Sequence, residues 1–147
     1  VGHRLAGAAS LTAHRGQRLY VSRRKWHNKS FLANGDAVEH AVKQRGFAII
    51  YPEELSFAEQ YAAFAGASVI VGEDGSGLHN SIFSKPGTRI GIIWLGRSNP
   101  LHVMTANALG HHLLLIPAVE KPAGHGRGRK AASILPLDVL TAALDLL

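Results

Sequence analysis

Apolar positions along the chain follow two rhythms. Short alternating or continuously apolar runs predict strands, and longer stretches with apolar residues three or four apart predict helices. Arg18-Leu-Tyr-Val-Ser22 is the first predicted strand, with Leu19 and Val21 facing one side and Tyr20 the other. Residues 26–31 read as loop. Asn34 suits the cap of a helix over 35–45 that carries Val38, Ala41 and Val42 on one face, with Gly46 just past its end. Phe47 to Tyr51 is a second apolar strand, closed by Pro52. Ser56 and Glu59 have capping-box spacing and open a helix with Phe57, Tyr61 and Phe64 at helical intervals, ending at Gly66. Ser68-Val-Ile-Val71 is a third strand. A loop with Gly72, Gly75 and Gly77 follows, then a short helix from Leu78 through Ile82 and Phe83, stopped by Pro86-Gly87. Thr88 to Trp94 is a fourth strand. Asn99-Pro100 opens a helix to Leu109, with Gly110 after it, and His112 to Ile116 is a fifth strand. Residues 121–132, rich in Gly, Lys and Arg, read as exposed loop. Pro136 starts a last helix whose Leu137, Leu140, Leu144 and Leu147 form one stripe.

This alternation predicts an α/β fold, a doubly wound, Rossmann-like parallel sheet. Continuously apolar strands need cover on both faces, which crossover helices supply. Such sheets bind ligands at the carboxyl ends of their strands. Ser22-Arg23-Arg24 and the loop from Gly72 to Gly77 both lie at such ends and can face one crevice. Strand, glycine loop and helix start together present free backbone N–H groups to an anion. Glycine also lets the backbone approach a phosphate closely. The same turn serves elsewhere as a plain connection, and the loop alone does not decide between the two.

Composition narrows the classes. At 147 residues, 46% of them hydrophobic, the chain suits one globular domain rather than disorder. Residues 1–17 are small, basic and weakly patterned and read as a linker or truncated start, leaving 18–147 as the domain. No apolar run approaches the roughly 20 residues that span a bilayer. With no cysteine, disulfides and thiolate metal sites are excluded. The nine histidines include no H-x-x-x-H or H-E-x-x-H pair, so no metal site is expected. The formal net charge is +6, and Arg4, Arg15, Arg18, Arg23, Arg24, Lys25 and Lys29 all precede the first acid, Asp36. Such a field favours anionic partners: nucleotides, nucleic acid or an acidic membrane surface.

Several side chains are candidates for chemistry. Arg23 or Arg24 can clamp a diphosphate through charge-assisted bonds, and because neighbours on an extended strand point apart, one of the two, Arg23, is favoured. Ser22 can donate to a phosphate or a base. Gly75, Ser76 and Gly77, with Leu78, His79 and Asn80 behind them, offer the amides of a helix start. Glu53 or Glu54 can bind ribose hydroxyls, the role acids fill in Rossmann crevices. Glu59 is explained by its capping box, with a sugar contact as the other reading. Asp74 is the acid nearest the presumed reacting centre and the candidate base.

An ordered set of segments carries a resemblance. They are Leu19-Tyr-Val-Ser-Arg-Arg24, Arg45-Gly-Phe47, Tyr51-Pro-Glu-Glu-Leu-Ser-Phe-Ala-Glu-Gln60, Ala63-Phe-Ala-Gly-Ala-Ser-Val-Ile-Val-Gly72 and Gly75-Ser-Gly-Leu-His-Asn80, then Ile82-Phe83, Pro86-Gly87 and the closing helix from Leu137. In this order they resemble the C-terminal half of the family 61 glycosyltransferases, of the capsular polysaccharide biosynthesis type. The resemblance implies the C-terminal domain of a GT-B glycosyltransferase, which holds most of the donor site. It implies inverting transfer from a nucleotide sugar, a UDP-sugar by expectation, to a glycan or polysaccharide hydroxyl, with no metal cofactor. It also implies a partner N-terminal domain, without which the fragment is expected to be inactive. A cytoplasmic or membrane-face location in a bacterium, with peripheral membrane association, is expected too.

One departure is chemical. Many members have His-Gly-Ala-Gly-Leu where this chain has Asp74-Gly-Ser-Gly-Leu78. A carboxylate beside a diphosphate is unfavourable unless Asp74 turns away or binds sugar hydroxyls. Two alternatives stay open: a basic nucleic-acid-binding module, and a degenerate domain that keeps the fold without activity. No helix-turn-helix, RNA-recognition or zinc pattern supports the first, and nucleic acid is not the expected partner.

Overall fold

A computed structural model describes residues 16–25, 31–96, 99–120 and 132–147. In chain order the elements are β1 (Gln17–Val21), β2 (Phe31–Leu32), α1 (Gly35–Gln44), β3 (Phe47–Ile50), a 3-10 turn (Pro52–Glu54), α2 (Phe57–Gly66) and β4 (Ala67–Glu73). A 3-10 helix (Ser76–Phe83), β5 (Arg89–Trp94), α3 (Pro100–Leu109), β6 (His112–Pro117), β7 (Val119–Glu120), β8 (Ala132–Ile134) and α4 (Leu137–Leu146) complete it.

The main sheet has the order β3-β1-β4-β5-β6 with every pairing parallel. Progress along the chain therefore reverses between β1 and β4. In doubly wound sheets such a reversal opens a crevice beyond the carboxyl ends of the two strands.

Strand alternation assigns side chains to layers. Tyr20, Val69 and Val71 bury against Val38 and Val42 of α1 and Leu140 and Leu144 of α4. On the other face Leu19, Val21 and Ile70 bury against Ala63 and Phe64 of α2 and Leu78 of the 3-10 helix. α3 packs on the 3-10 helix and β6. Each fully buried Leu, Val or Phe contributes about 1.5–3 kcal/mol. Such burial, more than helix propensity, holds ten-residue helices in place. The result is the expected Rossmann-like α/β fold.

The punctuation works as its chemistry predicts. Ser56 Oγ accepts from Glu59 N at 3.3 Å while the Glu59 carboxylate accepts from Ser56 N at 2.7 Å, closing the capping box. Asn99 Oδ1 accepts from Leu101 N at 3.1 Å ahead of Pro100. Gly110 ends α3 in the left-handed region with φ 68°.

Several readings change. β4 is longer than Ser68–Val71: Gly72 pairs with Val21 and Ile92, and Glu73 with Ile93. Gly72 is strand, not loop, and a Cβ there would lie 2.7 Å from Val21 O. The short helix is a 3-10 helix that starts at Ser76 rather than Leu78. In α2, Phe64 is buried while Phe57 and Tyr61 are 69% and 51% exposed, so the three aromatics do not all meet the core. The two exposed rings rest edge-on against Phe83 instead. Asn34 makes no cap bond. Its amide donates to Leu135 O at 2.8 Å and accepts from Leu135 N at 3.1 Å. That clasp sits beside a small second sheet, β2-β8-β7, whose strands are too short for any periodicity to announce. Phe31 opens β2 and is not loop. Of the linker reading of residues 1–17, residues 1–15 lie outside the described residues and Gln17 already opens β1; the loop reading of 26–30 and most of the basic loop, 121–131, lie outside them too.

Candidate functional site

At the reversal between β1 and β4 the chain leaves both strands at the same end of the sheet. Ser22 N still bonds Ile50 O at 2.9 Å, so β1 is held to its edge up to the turn. Arg23 then swings toward β4. Its Nη1 donates to Asp74 O at 2.5 Å, and its backbone N donates to Glu73 Oε1 at 3.3 Å. The guanidinium lies flat against Gly75: a Cβ there would meet Nη1 at 2.7 Å and Cζ at 2.8 Å. Glycine at 75 is thus what lets the arginine enter the loop. Beside it opens a crevice of about 260 Å³, lined by Ser22, Arg23, Glu53, Ser76, Gly77 and Asn80, and also by Pro52 and Gln60. Gln60 builds one wall. Its amide donates to Pro52 O and Leu55 O at 3.0 and 3.1 Å and accepts from Asn80 Nδ2 at 2.5 Å.

Arg24, in the turn that follows β1, goes the other way. It pairs with Asp36 and with Glu39, the latter at 3.3 Å. Glu39 is a buried acid on α1 that also accepts from Ser22 Oγ at 2.7 Å and from Tyr51 Oη at 3.0 Å. Ser22 therefore gives its proton to protein, and its oxygen accepts from Arg24 N at 3.1 Å. Burial and the Glu39 carboxylate push the Tyr51 phenol up to about 12. Lys25 sits 4.2 Å over the Tyr51 ring and bonds Glu54 at 2.5 Å, which takes Glu54 away from the crevice. Glu59 stays in its capping box, where the Ser56 hydroxyl and amide hold its carboxyl below the usual range.

Glu73 and Asp74, adjacent at the end of β4, part company. Glu73 is 3% exposed, and burial pushes its carboxyl up, partly offset by the Arg23 amide and charge. Asp74 turns to α3, where Oδ1 lies 3.0 Å from His102 Nε2. His79 stacks near the same ring, 5.0 Å between centroids, with its Nε2 3.2 Å from Asn99 Nδ2. Burial holds His102 below the ordinary histidine range, against the pull of Asp74. Leu78 is core.

The crevice thus gathers six of the sequence candidates: Ser22, Arg23, Glu53, Ser76, Gly77 and Asn80. Gly75 stands behind Arg23. Arg24, Glu54, Glu59, Asp74, Leu78 and His79 are each engaged elsewhere. Glu39, Gln60 and His102 bond to residues of the site, and sequence reasoning missed them. Gln60 lay within a quoted segment, and its amide four residues after Ser56 was the available signal. Among the described residues no cluster of three or more His, Asp or Glu side chains is placed to hold a metal ion.

The family model described as Glycosyltransferase 61 matches residues 2–91, more than half of the chain. The chain belongs to the glycosyltransferase 61 family. Curated proteins gave no match. As a glycosyltransferase 61 domain it has a sugar donor and a glycan acceptor as its general partners. The match runs from ahead of β1 to Gly91 inside β5, and so takes in both lips of the crevice, Ser22-Arg23 and Asp74 to Asn80. The closing helix, which the sequence comparison also included, falls outside it. So does α3, the helix that holds Asp74. No helix among the described residues is long and apolar enough to cross a membrane.

Proposed function

We propose that this chain is the donor-binding half of a GT-B glycosyltransferase, seating the diphosphate of a UDP-sugar in the crevice between β1 and β4. The observation that carries this reading is the Arg23 guanidinium lying against Gly75 at the strand-order reversal. One N–H goes to Asp74 O, and among the described residues the remaining donors have no other partner and can face a ligand. Ser76 and Gly77 add the first amides of the 3-10 helix, which lack intrahelical partners. Positive charge and fixed donors at this point stabilise the leaving diphosphate as the glycosidic bond to it breaks. The proposal thus gives charge neutralisation to Arg23 and requires no metal. Glu53, which lines the crevice, is assigned in this reading to ribose or sugar hydroxyls. With the Asp74 carboxylate turned to His102, the base for inverting attack comes from the second domain, along with the acceptor, a glycan or polysaccharide hydroxyl. A crevice of about 260 Å³ is below the roughly 300–1,000 Å³ of complete ligand pockets, as half of a two-domain cleft should be.

The basic charge supports nucleic acid less well, because Arg24, Lys25 and Arg45 each carry an acidic partner. Calorimetric titration separates the readings. UDP should bind in preference to GDP and AMP, with modest salt dependence, whereas an oligonucleotide binder loses affinity steeply with salt. Arg23→Ala should weaken UDP binding by about 1.5–3 kcal/mol, as loss of a charge-assisted bond does. Gly75→Ala should weaken it too, since a Cβ displaces the Arg23 guanidinium and the φ of 159° at this position is one alanine rarely adopts. Unchanged UDP affinity in both folded variants rejects the assignment.

A further inference from the structure

We infer that His102 is a positioning residue for the donor site, acting through Asp74 on Arg23. The inference rests on the diphosphate reading above and adds a residue to it from a part of the chain outside the family match. Asp74 is a junction with three attachments. Its N donates to Ile93 O at 2.9 Å, fixing it to β5. Its carbonyl oxygen receives Arg23 Nη1 at 2.5 Å. Its carboxylate, only 12% exposed, meets His102 Nε2 at 3.0 Å. The backbone of Asp74 thus decides where the guanidinium sits, and His102 decides which way the side chain of Asp74 turns.

The chemistry of the pair serves an anion site in two ways. With Nε2–H donating, a neutral His102 holds the Asp74 carboxylate away from the crevice, whose lining does not include Asp74. Without the partner, a carboxylate beside the glycine loop is free to rotate. It would then compete with phosphate for Arg23 and repel the phosphate directly. His102 is itself held. It is 6% exposed, its N bonds Asn99 O at 3.2 Å, and the His79 ring lies against it. Asn99 in turn bonds His79, so α3 and the 3-10 helix are clamped together behind the loop. A packing histidine does not need this polar chain, and a buried donor aimed at an acid is costly to leave unmet.

The test uses the 147-residue chain labelled with nitrogen-15 and two substitutions. His102→Leu removes the donor, and His102→Gln places an amide N–H near Nε2. We read two signals: the Arg23 Nε–H resonance without ligand, and calorimetric affinity for UDP. The expected result is a displaced Arg23 resonance and about tenfold weaker UDP binding in His102→Leu, with both restored in His102→Gln. Should His102→Leu fail to fold, His102→Asn, whose shorter amide does not reach Asp74, frees the same carboxylate and should displace the Arg23 resonance. An unmoved Arg23 resonance in the folded variant, or equal behaviour of the Leu and Gln variants, overturns the positioning role. Wild-type chain that binds no UDP sinks the diphosphate reading, and the Arg23 resonance alone still decides whether His102 positions it.

Discussion

Tyr51 shows how one side chain reports on the site. Its hydroxyl is shared by both oxygens of Glu39, and its pKa rises to about 12. The unfolded chain ionises the same phenol near 10. Between those values the folded state keeps a proton that the unfolded state has lost, so stability falls as pH rises. Two units would equal about 2.7 kcal/mol in full burial, but Tyr51 is half-buried and screening reduces this to about 1 kcal/mol. Urea midpoints at pH 9 and pH 11.5 should diverge more for the wild type than for Tyr51→Phe. At this scale, what the sequence revealed was local. Arg23 against Gly75 follows from a strand end meeting a glycine loop. Glu39 and His102 did not show, because each sits on a helix whose other residues explain its periodicity, and the partner lies across a crossover.

The elements were legible wherever punctuation was chemical. Ser56 with Glu59, Asn99 with Pro100, and Gly110 all act within a few residues, so spacing alone predicts them. β4 was read short because glycine suggested a loop, whereas Gly72 is glycine for packing. Its α-carbon faces Val21 O at 2.7 Å and Val21 Cβ at 2.9 Å from where a Cβ would stand. Neither atom can withdraw without parting β1 from β4. Gly72→Ala should therefore cost about 1–3 kcal/mol, as overpacking does, visible as a lowered urea midpoint. Phe57 and Tyr61 differ in burial from Phe64 in a way their spacing could not tell. Periodicity shows that rings share a face and is silent about whether that face meets the sheet.

For the whole molecule, the doubly wound sheet was readable from alternation, but strand order was not. Only the order β3-β1-β4-β5-β6 brings the end of β1 beside the end of β4 and makes the crevice. The second sheet was invisible, since it joins strands of two and three residues from opposite ends of the chain. Asn34 and Leu135, bonded twice, stand 101 positions apart. That separation has a consequence for how the molecule is made. A ribosome must deliver Leu135 before the clasp can close, by which time every strand of the main sheet has already emerged. The clasp should then form after the folding barrier is crossed. Asn34→Ala should speed unfolding and leave the refolding rate unchanged in stopped-flow measurements. β2, whose Leu32 shares a small cavity with Glu73 at the end of β4, would settle with the clasp. A nascent chain would therefore hold its five strands before the small second sheet is closed.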